Sequence, residues 1–260
     1  MAFLILLLTP INILDLWLFD TFQILTPKIK NDEIVIFGID ERTYEYFKMQ
    51  YPLDRKIYGE AIRILNEAGA RYIGVDILFD IPGNEESDNF LKNSISENVF
   101  FGTRVYSQGE FVFLKPTLIL GNVKLGFTEN FTDSDGVVRR YLPYFELDKN
   151  LYPSFAEVFF KPEKKFTKPR KMAFLKNWKE EIPIFPFLKI FKDNREYLKE
   201  IVRGRIVLIG TTDPLLHDNV RIPHTNNLFS QNKEMCPGVV FQAQAILNAM
   251  ENFPLKEIPG

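Results

Sequence analysis

The sequence predicts an α/β fold: a mostly parallel sheet flanked by helices, with an antiparallel hairpin insertion in the middle. Three observations carry this. Short apolar runs recur along the chain, as strands buried on both faces require: 34–40, 72–79 and 205–211, with an acid or hydroxyl at Asp40, Asp76 and Thr211. Between the first two lies a stretch of helical period, and strand, helix, strand is the pattern of a parallel crossover. The middle of the chain interrupts that alternation with polar-broken runs and an Asp-Gly turn.

The elements follow in order. Met1 to Leu8 is apolar, Thr9, Pro10 and Asn12 interrupt it, and Ile13 to Phe19 resumes it around Asp15. This falls short of the about 20 apolar residues of a membrane span. It also lacks the basic start and small-residue cleavage site of a signal peptide. Two expectations stand: the remnant of a transmembrane helix with an interfacial segment, which is preferred, or a hydrophobic helix packed on the domain. The expected organisation is an apolar segment over 1–20, one domain over 21–252, and at 253–260 the start of a linker to a further C-terminal part.

Ile34 to Asp40 is the first strand. After a turn at Tyr51-Pro52-Leu53, Asp54 is placed to cap a helix to Ala68, with Ile57, Ala61, Ile64, Leu65 and Ala68 on one face and Gly69 ending it. Tyr72 to Phe79 is the second strand, Ser87 or Asp88 starts a helix to about Ser96, and Val99 to Val105 is the third strand. Phe111–Leu120 and Lys124–Thr128 read as strands, paired as a hairpin. Asp133-Ser134-Asp135-Gly136 is a turn feeding Val137–Tyr141, and Pro153 begins a helix through Phe160. Lys161 to Glu181 holds eight basic residues. A solvated loop around one short strand, Met172–Leu175, is preferred there to attraction for anionic lipid. Phe187–Val202 reads as an amphipathic helix stopped by Gly204, Arg205–Thr211 as the last strand, and Val239 to about Asn252 as the final helix.

Composition bounds the function. With 46% hydrophobic and 25% charged residues the chain is globular, and 25 phenylalanines predict a core of aromatic contacts. Lys plus Arg number 32 against 34 Asp plus Glu, which leaves no basic footprint for nucleic acid. The one cysteine, Cys236, excludes an intrachain disulfide and a cysteine zinc cluster. No Gly-x-Ser-x-Gly elbow, Walker loop, Gly-x-Gly-x-x-Gly or His-Glu-x-x-His is present. The turn at 133–136 fails as an EF-hand loop because Tyr144 stands where the bidentate Glu belongs. His217 and His224 with Asp218 read as surface residues in preference to a metal site. The expectation is a chain with no catalytic residues, no cofactor and no metal.

Taken in order, several segments resemble the second class of CHASE domain, the cyclase- and histidine-kinase-associated sensory extracellular module. Residues 13–20 are similar to its amphipathic leading segment and Val35-Ile36-Phe37-Gly38-Ile39-Asp40 to its first strand. Gly69-Ala70-Arg71-Tyr72-Ile73-Gly74-Val75-Asp76-Ile77-Leu78-Phe79, Asp135-Gly136-Val137-Val138-Arg139-Arg140, Gly204-Arg205-Ile206-Val207-Leu208-Ile209-Gly210 and Pro237-Gly238-Val239 are close to the family pattern. The chain departs at 51–55, which keeps Pro52 and Arg55 without the family's tryptophans. It departs again at 176–179 and at Gln242, where histidine is common. The resemblance implies a sensory module outside the cytoplasmic membrane, preceded by one transmembrane helix. It also implies further helices and a cyclase, histidine kinase, Ser/Thr kinase or phosphatase domain afterwards. The partners it implies are a small-molecule or environmental signal, the membrane and, as an expectation, a second copy of the chain.

Parallel α/β sheets bind ligands beyond the carboxyl ends of their strands. The candidate ligand-binding residues are therefore Asp40, Asp76, Thr211, Asp213 and Asp218, with Arg55 opening the helix on that edge. The competing reading makes Asp40 and Asp76 caps or turn residues paired with Arg55 or Arg139. The alternative function is a small α/β enzyme using the strand-end carboxylates, such as a metal-assisted hydrolase.

Overall fold

In the computed structural model the described residues are 16, 18–21, 29–49, 51–107, 111–113, 123–216, 218–223 and 234–251. His217, His224, most of 1–19, the end of the expected strand at 111–120 and the expected linker at 253–260 lie outside them.

Six parallel strands form the central sheet: β1 (Ile34–Ile39), β2 (Tyr72–Asp76), β3 (Val99–Thr103), β4 (Lys124–Phe127), β5 (Ile184–Pro186) and β6 (Ile206–Thr211), in the spatial order β5-β1-β6-β2-β3-β4. The fully described helices longer than one turn are α1 (Glu41–Phe47), α2 (Arg55–Glu67), α3 (Glu85–Ser94), α4 (Arg195–Val202) and α5 (Gly238–Met250). β1 and β6 are buried at every residue, which is why they read as unbroken apolar runs. Alternate side chains serve opposite faces. Val35, Phe37, Val207 and Ile209 pack under α2 and α4, whereas Ile34, Ile36, Ile206 and Leu208 pack against α5.

Sequence signals set the helix ends. Asp54 caps α2 through the Lys56 N–H at 2.8 Å, and Gly69, at φ +87°, follows its C-cap Ala68. The aromatic core is realised in pairs such as Tyr58–Phe79 (5.3 Å, edge to face) and Phe100–Phe159 (4.6 Å).

The antiparallel insertion is real but arranged differently. Val105–Ser107 pairs with Phe111–Phe113, while β4 joins the main sheet in parallel with β3 instead of closing a hairpin. Phe131–Thr132 and Val138–Tyr141 pair around the 133–136 turn, where Gly136 has φ +77°. Three expected elements are corrected. Pro153 ends the strand Asn150–Pro153, and Phe155–Phe159 is a run of turns, not a helix. The expected helix from Phe187 to Val202 is one turn at Lys189–Lys192 followed by α4, preceded by the missed strand β5. Met172–Leu175 is buried but forms no strand; the Met172 N–H reaches the Arg139 carbonyl at 3.0 Å. α5 pairs with it through side chains: Asn248 receives the Ala173 N–H and donates to its carbonyl, both at 2.8 Å, and Gln244 receives the Leu175 N–H at 3.1 Å.

Of the apolar leading segment, residues 18–21 are helical and Leu16 is buried. Asp20 grips the buried Arg139 at 2.7 and 2.8 Å. No helix among the described residues is long and apolar enough to cross a membrane.

Candidate ligand-binding site

A cavity of about 250 Å³ opens beyond the carboxyl ends of β2 and β6. Asp76, the last residue of β2, and Thr211, the last of β6, line it. Arg104 and Thr128, each directly after a strand end, line it too, with Asp218, Gln242 and Tyr51.

Two glycines stand beside Asp76. A methyl group at Gly102 on β3 would stand 3.3 Å from Asp76 Oδ1, and one at Gly210 on β6 would stand 3.4 Å from Asp76 Cβ. Asp76 is therefore flanked by strand positions without side chains, and among the described residues its carboxyl has no hydrogen bond or ion pair. Burial, reinforced by the nearby Asp218 charge, pushes its pKa up to about 8. Asp218 is exposed toward the mouth, yet its carboxylate stands over Gly238 at the start of α5, where a methyl group would meet it at 2.6 Å. The enclosing protein raises the Asp218 pKa, and the Arg104 charge pulls the other way. Arg104 is exposed and makes ion-pair contact with no described acid.

Neutral acceptors complete the lining. Gln242 is 5% exposed and donates through Nε2 to the Thr128 carbonyl at 3.1 Å, which leaves its Oε1 without a donor among the described residues. Asn130 Oδ1 is buried and equally unpartnered. Next to it, Glu129 accepts the Val105 N–H at 2.7 Å through Oε1, its Oε2 is buried and unpartnered, and burial pushes its pKa up to about 7.

The expected site residues divide. Asp76, Thr211 and Asp218 come together on the cavity wall. Asp40 does not reach it: it is the N-cap of α1, holding the Thr43 N–H at 3.1 Å in a capping box. Arg55 is bonded to Asp88 and to the Ile81 carbonyl, fixing the loop ahead of α3. Asp213 turns the chain through the Leu215 N–H at 2.9 Å. Arg104, Asn130 and Gln242 were missed. The strand-end rule that picked out Asp76 picks out Arg104 as well, once β3 is ended at Thr103. Gln242 had a signal in its departure from the family pattern.

The fold and the cavity define a parallel α/β domain with an acid-lined cleft at the carboxyl edge of its sheet. The CHASE2 domain family matches the chain over residues 1–259, and the chain belongs to it. CHASE2 domains are extracellular sensory domains of signalling proteins, not catalytic ones. No curated protein and no solved structure matches the chain.

Proposed function

We propose that residues 21–252 form the extracytoplasmic input domain of a membrane-bound signal transduction protein of the adenylate cyclase, histidine kinase or Ser/Thr kinase type. In this reading residues 1–20 and the chain beyond 253 belong to its membrane attachment, and a small molecule bound in the carboxyl-edge cavity is the signal. One observation carries this: the cavity gathers Asp76, Asp218 and the side-chain oxygens of Asn130 and Gln242, which have no hydrogen-bond partner among the described residues, whereas Asp40 and Asp213 of the same edge are spent on caps and turns. Unpaired buried polar atoms cost stability unless a ligand or water meets them. A bound ligand would meet several at once.

The test is thermal melting of the full chain against a metabolite panel. A ligand at one hundred times its Kd stabilises the fold by about 2.7 kcal/mol, an easily read shift. Gly238→Ala, whose methyl would displace the Asp218 carboxylate, and Gln242→Leu are expected to abolish that shift while still melting cooperatively. A ligand-induced shift that survives both substitutions would place the signal elsewhere on the domain.

A further inference from the structure

We propose that the cavity recognises the ammonium group of a small organic amine, held between Asp76 and Asp218, with its carbon skeleton against Tyr51, Ile77 and Leu216. This rests on reading the cavity as the signal site and names the chemistry of the signal.

The inventory of the wall decides the class. Among the described residues, Asp76, Asp218, Asn130 Oδ1 and Gln242 Oε1 have no donor, and the one cationic group lining the cavity, Arg104, is exposed. An ammonium offers three donors and a positive charge, which suits such a set. An anion would meet two carboxyl groups, and a neutral polyol would bring no positive charge to favour their ionised form. A bare metal ion fits less well, because no three His, Cys, Asp or Glu among the described residues are grouped to hold one. The volume agrees, since about 250 Å³ far exceeds the about 30 Å³ share of one water. Ile77, Leu78, Leu216 and the Tyr51 ring supply apolar wall for a short carbon chain.

Proton exchange follows from the same geometry. Asp76 faces Asp218, Arg104 and Tyr51, and near neutral pH its enclosed carboxyl holds its proton in the empty cavity. An arriving ammonium favours the carboxylate, so the proton leaves as the amine binds. Below the Asp76 pKa, affinity should rise about tenfold per pH unit.

The experiment is isothermal titration calorimetry of the full chain with 1,4-diaminobutane, n-butylamine and alanine, beside 1,4-butanediol and succinate, between pH 6 and 7.5. These amines stay protonated throughout. The expected result is binding of amines only, about one proton released per amine, and at least about tenfold weaker binding in Asp76→Asn and in Asp218→Asn. Both variants should still melt cooperatively. If alanine binds more tightly than n-butylamine and loses that margin in Arg104→Gln, the amine is an amino acid whose carboxylate meets Arg104. If it does not, the ligand is a plain amine. Binding of succinate or butanediol, abolished by Gln242→Leu, would overturn the amine assignment and leave the sensory cavity standing. Amine binding untouched by either aspartate substitution would overturn the assignment too. No binding by any compound, here or in the metabolite panel, would sink both readings.

Discussion

Asp76 ends β2 between Gly102 and Gly210, whose missing side chains leave room for Asp76, Thr128 and Val239 to pack there. Its raised pKa has a consequence for the fold itself. The unfolded chain gives up this proton near the ordinary aspartate value of about 4, the folded chain near about 8. Between those values the native state binds more protons, so stability falls as pH rises. Glu129, with its pKa near about 7, adds to the same slope. The melting temperature should therefore decline from pH 5 to pH 8, and Asp76→Asn, which mimics the neutral form, should flatten the decline. A wild-type profile that rises over this range would contradict the burial that raises these two carboxyls. At this scale the sequence showed which acids stand at strand ends but not what each one meets. Asp40 and Asp76 look alike in sequence, and only Asp40 is followed by a residue, Thr43, that completes a capping box.

The elements were most legible where burial is symmetrical. β1, β2 and β6 announce themselves as apolar runs, and α2 carries its cap, its stripe and its terminating glycine in sequence order. Legibility failed where local propensity yields to tertiary pairing. β5 is three residues, Ile184–Pro186, ordered by its parallel register with β1, and it lies just ahead of the stretch read as one helix. The 153–160 segment has helical composition, yet Phe155 must give its N–H to the Phe127 carbonyl at 2.8 Å. That docking is very close. A methyl group at Gly126 would stand 2.5 Å from Phe155 Cα and 2.7 Å from the Ser154 carbonyl oxygen, both backbone atoms that cannot rotate away. Gly126→Ala should destabilise the domain by about 3 kcal/mol or more, since overpacking against backbone forces strands apart. Gly204, at φ +73° with nothing within 4 Å of where a methyl would stand, supplies the control. Its alanine variant should cost only about 1 kcal/mol, from backbone strain. Urea unfolding of both variants tests the ranking, and equal losses would refute the close approach.

Across the whole molecule, the cavity and the leading segment lie at two ends of one run of contacts. Asp218 precedes the strand Asn219–Ile222, which pairs with Glu234–Pro237 ahead of α5 and packs on Val138–Tyr141. That last strand carries Arg139, 2% exposed, whose guanidinium binds Asp20 at 2.7 and 2.8 Å, Asp133 at 3.0 Å and Asp135 at 2.8 Å. Arg140 shares Asp133 at 2.6 Å. The sequence offered Arg139 only as a partner for Asp40 or Asp76; its true partners lie in the adjoining turn and 119 positions upstream, a pairing no local pattern encodes. Such a cluster is stable only as a set: three acids around one buried guanidinium repel one another once it is gone. Arg139→Met should therefore cost about 3–5 kcal/mol, the usual loss when one partner leaves a buried ion pair. It should also release residues 16–21 from the domain. Arg139→Lys keeps the charge but not the fork that engages several carboxylates at once, so it should recover only part of the loss. Hydrogen exchange distinguishes a clasp from a general prop. If Arg139 is the clasp, amides of 18–21 in Arg139→Lys should exchange faster while those of β1 and β6 keep their protection. If protection falls evenly over all of these, the arginine only supports the core, and the leading segment is held by its apolar contacts alone.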